Sequence, residues 1–192
     1  MRPERIGFAM CGSFCTFKRA FAELERLCGE YETVIPIFSE TSGSVDSRFG
    51  EAADFLERAE ALCGRPVLRT LSDVEPIGPK QLLDLLVVMP CTGNTIAKLA
   101  NGIADSSVTL ACKAHLRNEA PIVLAVSSND ALGGNAANIG KLLGRKHFYF
   151  VPFGQDDPAQ KPCSLVADFT MLSETVAMAL EGRQIQPLLL RA

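Results

Sequence analysis

Leu85-Leu86-Val87-Val88-Met89 is an unbroken apolar run, closed by Pro90. A strand buried on one face alternates apolar and polar side chains, whereas a strand covered on both faces stays apolar throughout, as in parallel sheets flanked by helices. The run is too short for an ordinary helix, so it reads as the central strand of such a sheet. Ile6–Met10, Val34–Phe38, Ile122–Val126 and Phe148–Val151 read as further strands. Between them Phe17, Phe21, Leu24 and Cys28 recur at helical spacing. Arg48–Cys63 reads as a second helix with Phe49, Ala52, Ala53, Leu56 and Ala59 inward, and helices are expected over Ile96–Ala100, Val108–Arg117 and Ala136–Leu143. Pro66–Pro79 is expected to be irregular, with room for one short strand. A loop over Pro152–Pro158 leads to a last helix whose Leu165, Phe169, Leu172, Val176 and Leu180 form one stripe. Strands alternating with helices predict a single α/β domain over residues 1–192: a doubly wound, mostly parallel sheet, Rossmann-like, with helices on both faces. Ligands in such a fold sit beyond the carboxyl ends of the strands.

Charge and cysteine usage narrow the function classes. The formal net charge is −3 and no run of Lys or Arg exceeds two, so no nucleic-acid footprint is present. The longest apolar stretches fall well short of the ~20 residues that span a bilayer. Met1–Phe14 lacks a small-residue cleavage site and reads as the first strand, not as a secretory leader. Seven cysteines form no CxxC pair and read as reduced thiols. Cys112 and His115 are spaced for one metal, but a tetrahedral site needs four ligands and no partner pair is evident, so no metal is expected. His115, beside Lys113 and Arg117, is placed on a solvent face.

Three polar segments follow strands: Gly12-Ser13, Ser39, and Thr92-Gly93-Asn94-Thr95. After the first and third a helix begins within a few residues, so free backbone amides and hydroxyls can converge on an anion. Singly, Ser13 and Thr92 are more often caps or turn residues than ligand contacts. No G-x-G-x-x-G follows the first strand, which disfavours a dinucleotide and favours a mononucleotide.

Pro90-Cys91-Thr92-Gly93-Asn94-Thr95 resembles the P-A-S-A-N-T motif of flavin-containing cysteine decarboxylases and the P-C-S-M-N-T motif of flavin prenyltransferases. The resemblance implies FMN, held by Gly12, Ser13, Phe14, Ser39, Thr92, Gly93, Asn94, Thr95 and Asn129. Val126–Leu132 keeps only the Asn of the decarboxylase substrate segment, the second helix has no His, and the Arg and Glu of the prenyltransferases are missing near Ser127 and Ser128. Instead Ser47–Glu51, Pro76–Lys80, Ser128–Gly133 and Pro152–Pro158 resemble recurrent segments of the dipicolinate synthase B-subunit family, over nearly the whole chain. Phe14 stands where a histidine is expected, so no proton-transfer group is assigned there and the catalytic residues stay unknown. That family resemblance implies a cytoplasmic, homo-oligomeric component of an oxidoreductase in a sporulating bacterium. It would help convert a dihydro- or tetrahydrodipicolinate-type cyclic dicarboxylate to dipicolinate, with the synthase's A subunit supplying the NAD(P) site. Carboxylates are bound by Arg or Lys, and Arg48, Lys80 and Lys161 are the candidates. Two other readings stay open: a non-catalytic assembly or ligand-binding component, and a flavin-dependent decarboxylase or prenyltransferase with altered substrate residues.

Overall fold

The computed structural model describes residues 1–190, so residues 191–192 of the expected domain lie outside the described residues. The strands are β1 (Arg2–Met10), β2 (Tyr31–Phe38), β3 (Leu85–Cys91), β4 (Ile122–Ser128), β5 (Phe148–Phe150), β6 (Phe153–Gly154) and β7 (Leu165–Ala167). The helices are α1 (Phe17–Glu30), α2 (Ala52–Cys63), α3 (Leu71–Val74), α4 (Gly93–Ala100), α5 (Ser107–Leu116), α6 (Ala136–Leu143) and α7 (Leu172–Leu180). All seven residues of β3 are buried, as an unalternating strand requires.

The sheet runs β2-β1-β3-β4, with β1, β2, β3, β4 and β5 parallel. β4 then forks: Ile122–Leu124 pair with β5 in parallel, while Ser127 and Ser128 pair with β7 antiparallel. The chain leaves β1 in one direction and returns through β3 in the other, so the crevice of this topology opens between the carboxyl ends of β1 and β3. On one face α1 packs with α2 and α7; on the other α5 packs with α3 and α4, and α4 with α6. In α1 the apolar stripe Phe17, Ala20, Phe21, Leu24 and Leu27 is buried as its spacing predicts.

Four local expectations are corrected. Leu165 belongs to β7 and Phe169 to a single 3-10 turn, and α7 begins only at Leu172. The carboxylate of Asp168 accepts the amide of Thr170 at 3.1 Å and starts that turn, so the apolar spacing there crosses two kinds of structure. α2 begins at Ala52, leaving Phe49 46% exposed, and Phe55 takes the inward place against Phe17 and Phe21 at 4.9 and 5.9 Å between ring centroids. Pro66–Pro79 contributes α3 and one further helical turn, and the strand-like pairing beside it is a single bridge between Leu68 and Ile37. His115 is fully buried, because that face of α5 lies against the turn around Gly78 and the start of β4, and its Nε2 lies 3.1 Å from the Pro121 carbonyl. Among the described residues no helix is long and apolar enough to cross a membrane, and no cluster of three metal-type ligands occurs.

Candidate functional site

The turns that follow β1, β2 and β3 converge at the carboxyl rim. Thr92 caps α4, its Oγ1 accepting the amide of Thr95 at 3.4 Å. The Thr95 hydroxyl lies 3.1 Å from Thr92 Oγ1 and donates to Cys11 Sγ at 3.2 Å, which ties the β3 turn to the end of β1. Burial pushes the Cys11 thiol up to about 11, so at neutral pH it is a neutral packing group and not a nucleophile. Ser39 Oγ accepts the Ser42 amide at 3.2 Å, and Ser42 Oγ donates to the Met10 carbonyl at 2.8 Å, anchoring the β2 turn to β1.

Between these turns lies a cleft of about 290 Å³ lined by Gly12, Ser39, Thr41, Thr92, Asn94 and Thr95, among others. Lys98, Glu40 and Ser106 complete its wall. A Cβ on Gly12 would come 2.8 Å from Thr41 Cγ2, so the β1 and β2 turns approach here more closely than a larger residue allows without a shift of the Thr41 side chain. The donors are hydroxyls, the Asn94 amide and the free first-turn amides of α4, a set that suits a phosphate monoester on a polyol chain. The neighbouring N-terminus of α5 is already satisfied, since the Ser107 amide donates to Glu40 Oε1 at 3.0 Å. Lys98 is held by Asp105 at 2.8 Å. The residues present therefore fit the phosphate and ribityl part of FMN, with α4 as the free anion-binding terminus.

A second cavity, of about 260 Å³, is lined by Ser13, the sequence neighbour of Gly12 in the first. Ser13 Oγ and Ser127 Oγ are 2.9 Å apart, joining the β1 turn to the end of β4. Ser128, Asn129, Asp156, Lys161 and Arg19 also line this cavity. Arg19 is fixed in place: it donates to the Ala167 carbonyl at 3.3 Å and its guanidinium lies 4.7 Å from the Phe169 ring centroid. Lys161 pairs with Asp156 at 3.1 Å.

Beside the second cavity, whose wall includes Ser128, Asp130 accepts from Ser128 Oγ at 2.5 Å and from Asn135 Nδ2 at 2.8 Å. Gly93 seats the start of α4 on this network: a Cβ there would lie 2.6 Å from Asp130 Oδ1, 2.6 Å from Ser128 Oγ and 2.7 Å from Asn135 Nδ2. Gly93→Ala is accordingly expected to cost about 1–3 kcal/mol by overpacking, read as a lower urea midpoint at unchanged slope. An unchanged midpoint would show that the network yields freely.

Of the residues singled out by sequence, Gly12, Ser39, Thr92, Asn94 and Thr95 line the first cavity. Ser13, Asn129 and Lys161 line the second, and Gly93 is buried at the start of α4 and lines neither. Phe14 lines neither; its ring lies 5.0 Å from that of Phe17. Arg48 is exposed in the turn Ser47–Gly50, its guanidinium 4.9 Å from the Phe49 ring centroid, and lines neither cavity. Lys80 is exposed in the turn that precedes β3, at the opposite edge of the sheet from the cavities. Arg19, Asp130 and Asn135 were not legible as site residues. Arg19 looks like any cation on a helix surface until Phe169, far along the chain, is brought beneath it.

The chain matches the Flavoprotein family over residues 1–153. It is 43% identical over 189 residues to the dipicolinate synthase B subunit of Bacillus subtilis (strain 168), covering 98% of this chain and 94% of that protein. The crystal structure of the dipicolinate synthase B subunit from Bacillus halodurans has a TM-score of 0.91 and 40% identity, covering 99% of this chain and 97% of that one. The FMN-dependent cysteine decarboxylase SpaF shares the fold, with a TM-score of 0.64 at 21% identity over 92% and 97% of the two chains. A rim built by the turns after β1, β2 and β3, together with identity along almost the full length of both chains, places this protein in the flavoprotein family, among the dipicolinate synthase B subunits.

Proposed function

We propose that the chain binds FMN at the two rim cavities and serves as the B subunit of a dipicolinate synthase. In this reading it helps oxidise a dihydro- or tetrahydrodipicolinate-type ring to dipicolinate beside the nicotinamide-dependent A subunit. The observation that carries the reading is that consecutive residues of one turn, Gly12 and Ser13, line two unlike cavities, one rich in hydroxyls at the start of α4, the other holding Arg19 and Lys161. Gly12, Ser39, Thr92, Asn94 and Thr95 hold the phosphate and ribityl chain, with Ser13 and Asn129 facing the second cavity. Bound FMN supplies the electron-transfer chemistry. Arg19 and Lys161 hold the carboxylates of the substrate, Arg19 with a guanidinium already oriented by its carbonyl and ring contacts. NAD(P) enters only through the A subunit of the synthase. Assembly into a homo-oligomer is part of the proposal, supported by the dodecameric FMN-dependent Ubix-like decarboxylase of Escherichia coli O157:H7, 20% identical and alike in fold. So is a place in the cytoplasm of the sporulating mother cell.

Purified protein titrated against FMN should quench flavin fluorescence to saturation at one equivalent. Asn94→Asp, which sets a carboxylate among the phosphate donors, should weaken binding about tenfold or more, equivalent to about 1.4 kcal/mol. Absence of quenching in the unaltered protein would refute the flavin site. In assays with the A subunit, the reduced dicarboxylate and a nicotinamide, Lys161→Met should raise KM about tenfold with FMN affinity unchanged, from the loss of one charged hydrogen bond. Aromatic product forming equally fast without this chain would instead make its role one of assembly.

A further inference from the structure

A third cavity, of about 290 Å³, opens between α4, α5 and the start of β5, and shares no lining residue with the two at the rim. Leu99, Leu116 and Phe148 give it an apolar lining, while Lys113, Arg117 and Arg145 stand around it. None of these three cations has a carboxylate within ion-pair distance among the described residues. Arg145 is held in place: it donates to the Leu99 carbonyl at 3.1 Å, and its guanidinium lies 5.8 Å from the Phe148 ring centroid. In a chain of net charge −3, three uncompensated cations about one apolar concavity form a local field that an anion would relieve, and low-dielectric walls strengthen it. The volume lies at the small end of ligand pockets, which run to roughly 300–1,000 Å³, and suits one compact ring system better than a protein segment.

We propose that this cavity is a second small-molecule site, for a carboxylate carried on a compact aromatic or alicyclic body. The ring lies on Leu99, Leu116 and Phe148, and the carboxylate meets Arg117, Arg145 and Lys113. The site does not depend on the flavin reading.

The test is calorimetric titration of the full chain with 2-naphthoate and with its neutral counterpart, 2-naphthamide. Saturable binding of 2-naphthoate at one equivalent is expected, with the amide weaker by about tenfold or more, equivalent to about 1.4 kcal/mol. The Arg117→Gln/Arg145→Gln double variant should lose about tenfold in 2-naphthoate affinity while its thermal midpoint and its mass by light scattering stay as in the parent. Lys113→Gln, a single exposed change, should lose severalfold and guards against a double variant that fails to fold. Absence of saturation at millimolar probe, equal affinity for the two probes, or undiminished binding by the variants would overturn the proposal. A variant of altered mass would overturn it too, assigning this face to contacts between copies of the chain.

Discussion

Phe17→Ala should lower the unfolding free energy by about 3–5 kcal/mol, the range for truncating a fully buried phenylalanine. Phe17 is 1% exposed and opens α1 directly after the turn that carries Gly12 and Ser13. Its ring lies 5.0 Å from Phe14, 6.3 Å from Phe21 and 4.9 Å from Phe55, so one side chain joins that turn, α1 and α2. Truncation therefore leaves a cavity where two helices and a site turn meet, and the surrounding rings cannot collapse into it without moving the turn. Urea denaturation checks the energy, and Phe17→Leu, which restores most of the volume, should recover all but about 1.5 kcal/mol. A loss below about 1 kcal/mol in the alanine variant would mean that the aromatic cluster is not a packing centre.

Acid should weaken the fold through His115. Burial pushes its imidazole down to about 4, opposed by the Pro121 carbonyl and by Asp84, whereas an unfolded histidine titrates near 6.5. Between those two values the unfolded chain binds a proton that the folded one refuses, so stability falls as pH drops from about 6.5 towards about 4. A depression of this size corresponds to about 3 kcal/mol once both states are protonated. The Nδ1 atom has no partner, and Nε2 donates to Pro121, which fixes the neutral tautomer. Unfolded carboxylates begin to take up protons at the acid end of this window, and Asp84, held below its ordinary value first by its hydrogen bond from Arg5, adds a loss of its own there. The measurement is therefore a difference: urea midpoints at pH 7 and 4.5 for the parent and for His115→Gln, with the variant losing less by about 2–3 kcal/mol. Equal losses would show that the imidazole is solvated.

The parallel part of the sheet was legible because its strands are continuous apolar runs and its helices have unambiguous spacing, as in Leu85–Met89 and in α1. The rim was legible in outline, since Ser39, Thr92 and Asn94 sit where strands give way to turns. What sequence could not give was pairing between distant segments. β6 and β7 have two and three residues, too few to show a period, and Leu165 mimics the first position of the helix that follows. His115 was misplaced because its charged neighbours Lys113 and Arg117 are exposed; those two lie one turn apart on one face of α5, and His115, two residues from each, falls on the opposite face. Lys80 and Arg48 were chosen by residue type beside a recurrent segment, and residue type says nothing about which end of a strand a turn occupies.

The fork in β4 separates what must stay constant from what can change. The ten residues between β6 and β7 bring Lys161 over the second cavity, yet the ladder contacts of β7 are with the last residues of β4 and with β6. Insertions or exchanges in that connection leave the β1–β3–β4 foundation and its three converging turns in register. On the proposed reading, a lineage built on this scaffold could trade one acid for another by rewriting a single surface excursion, while the rim that would hold the nucleotide is inherited unaltered.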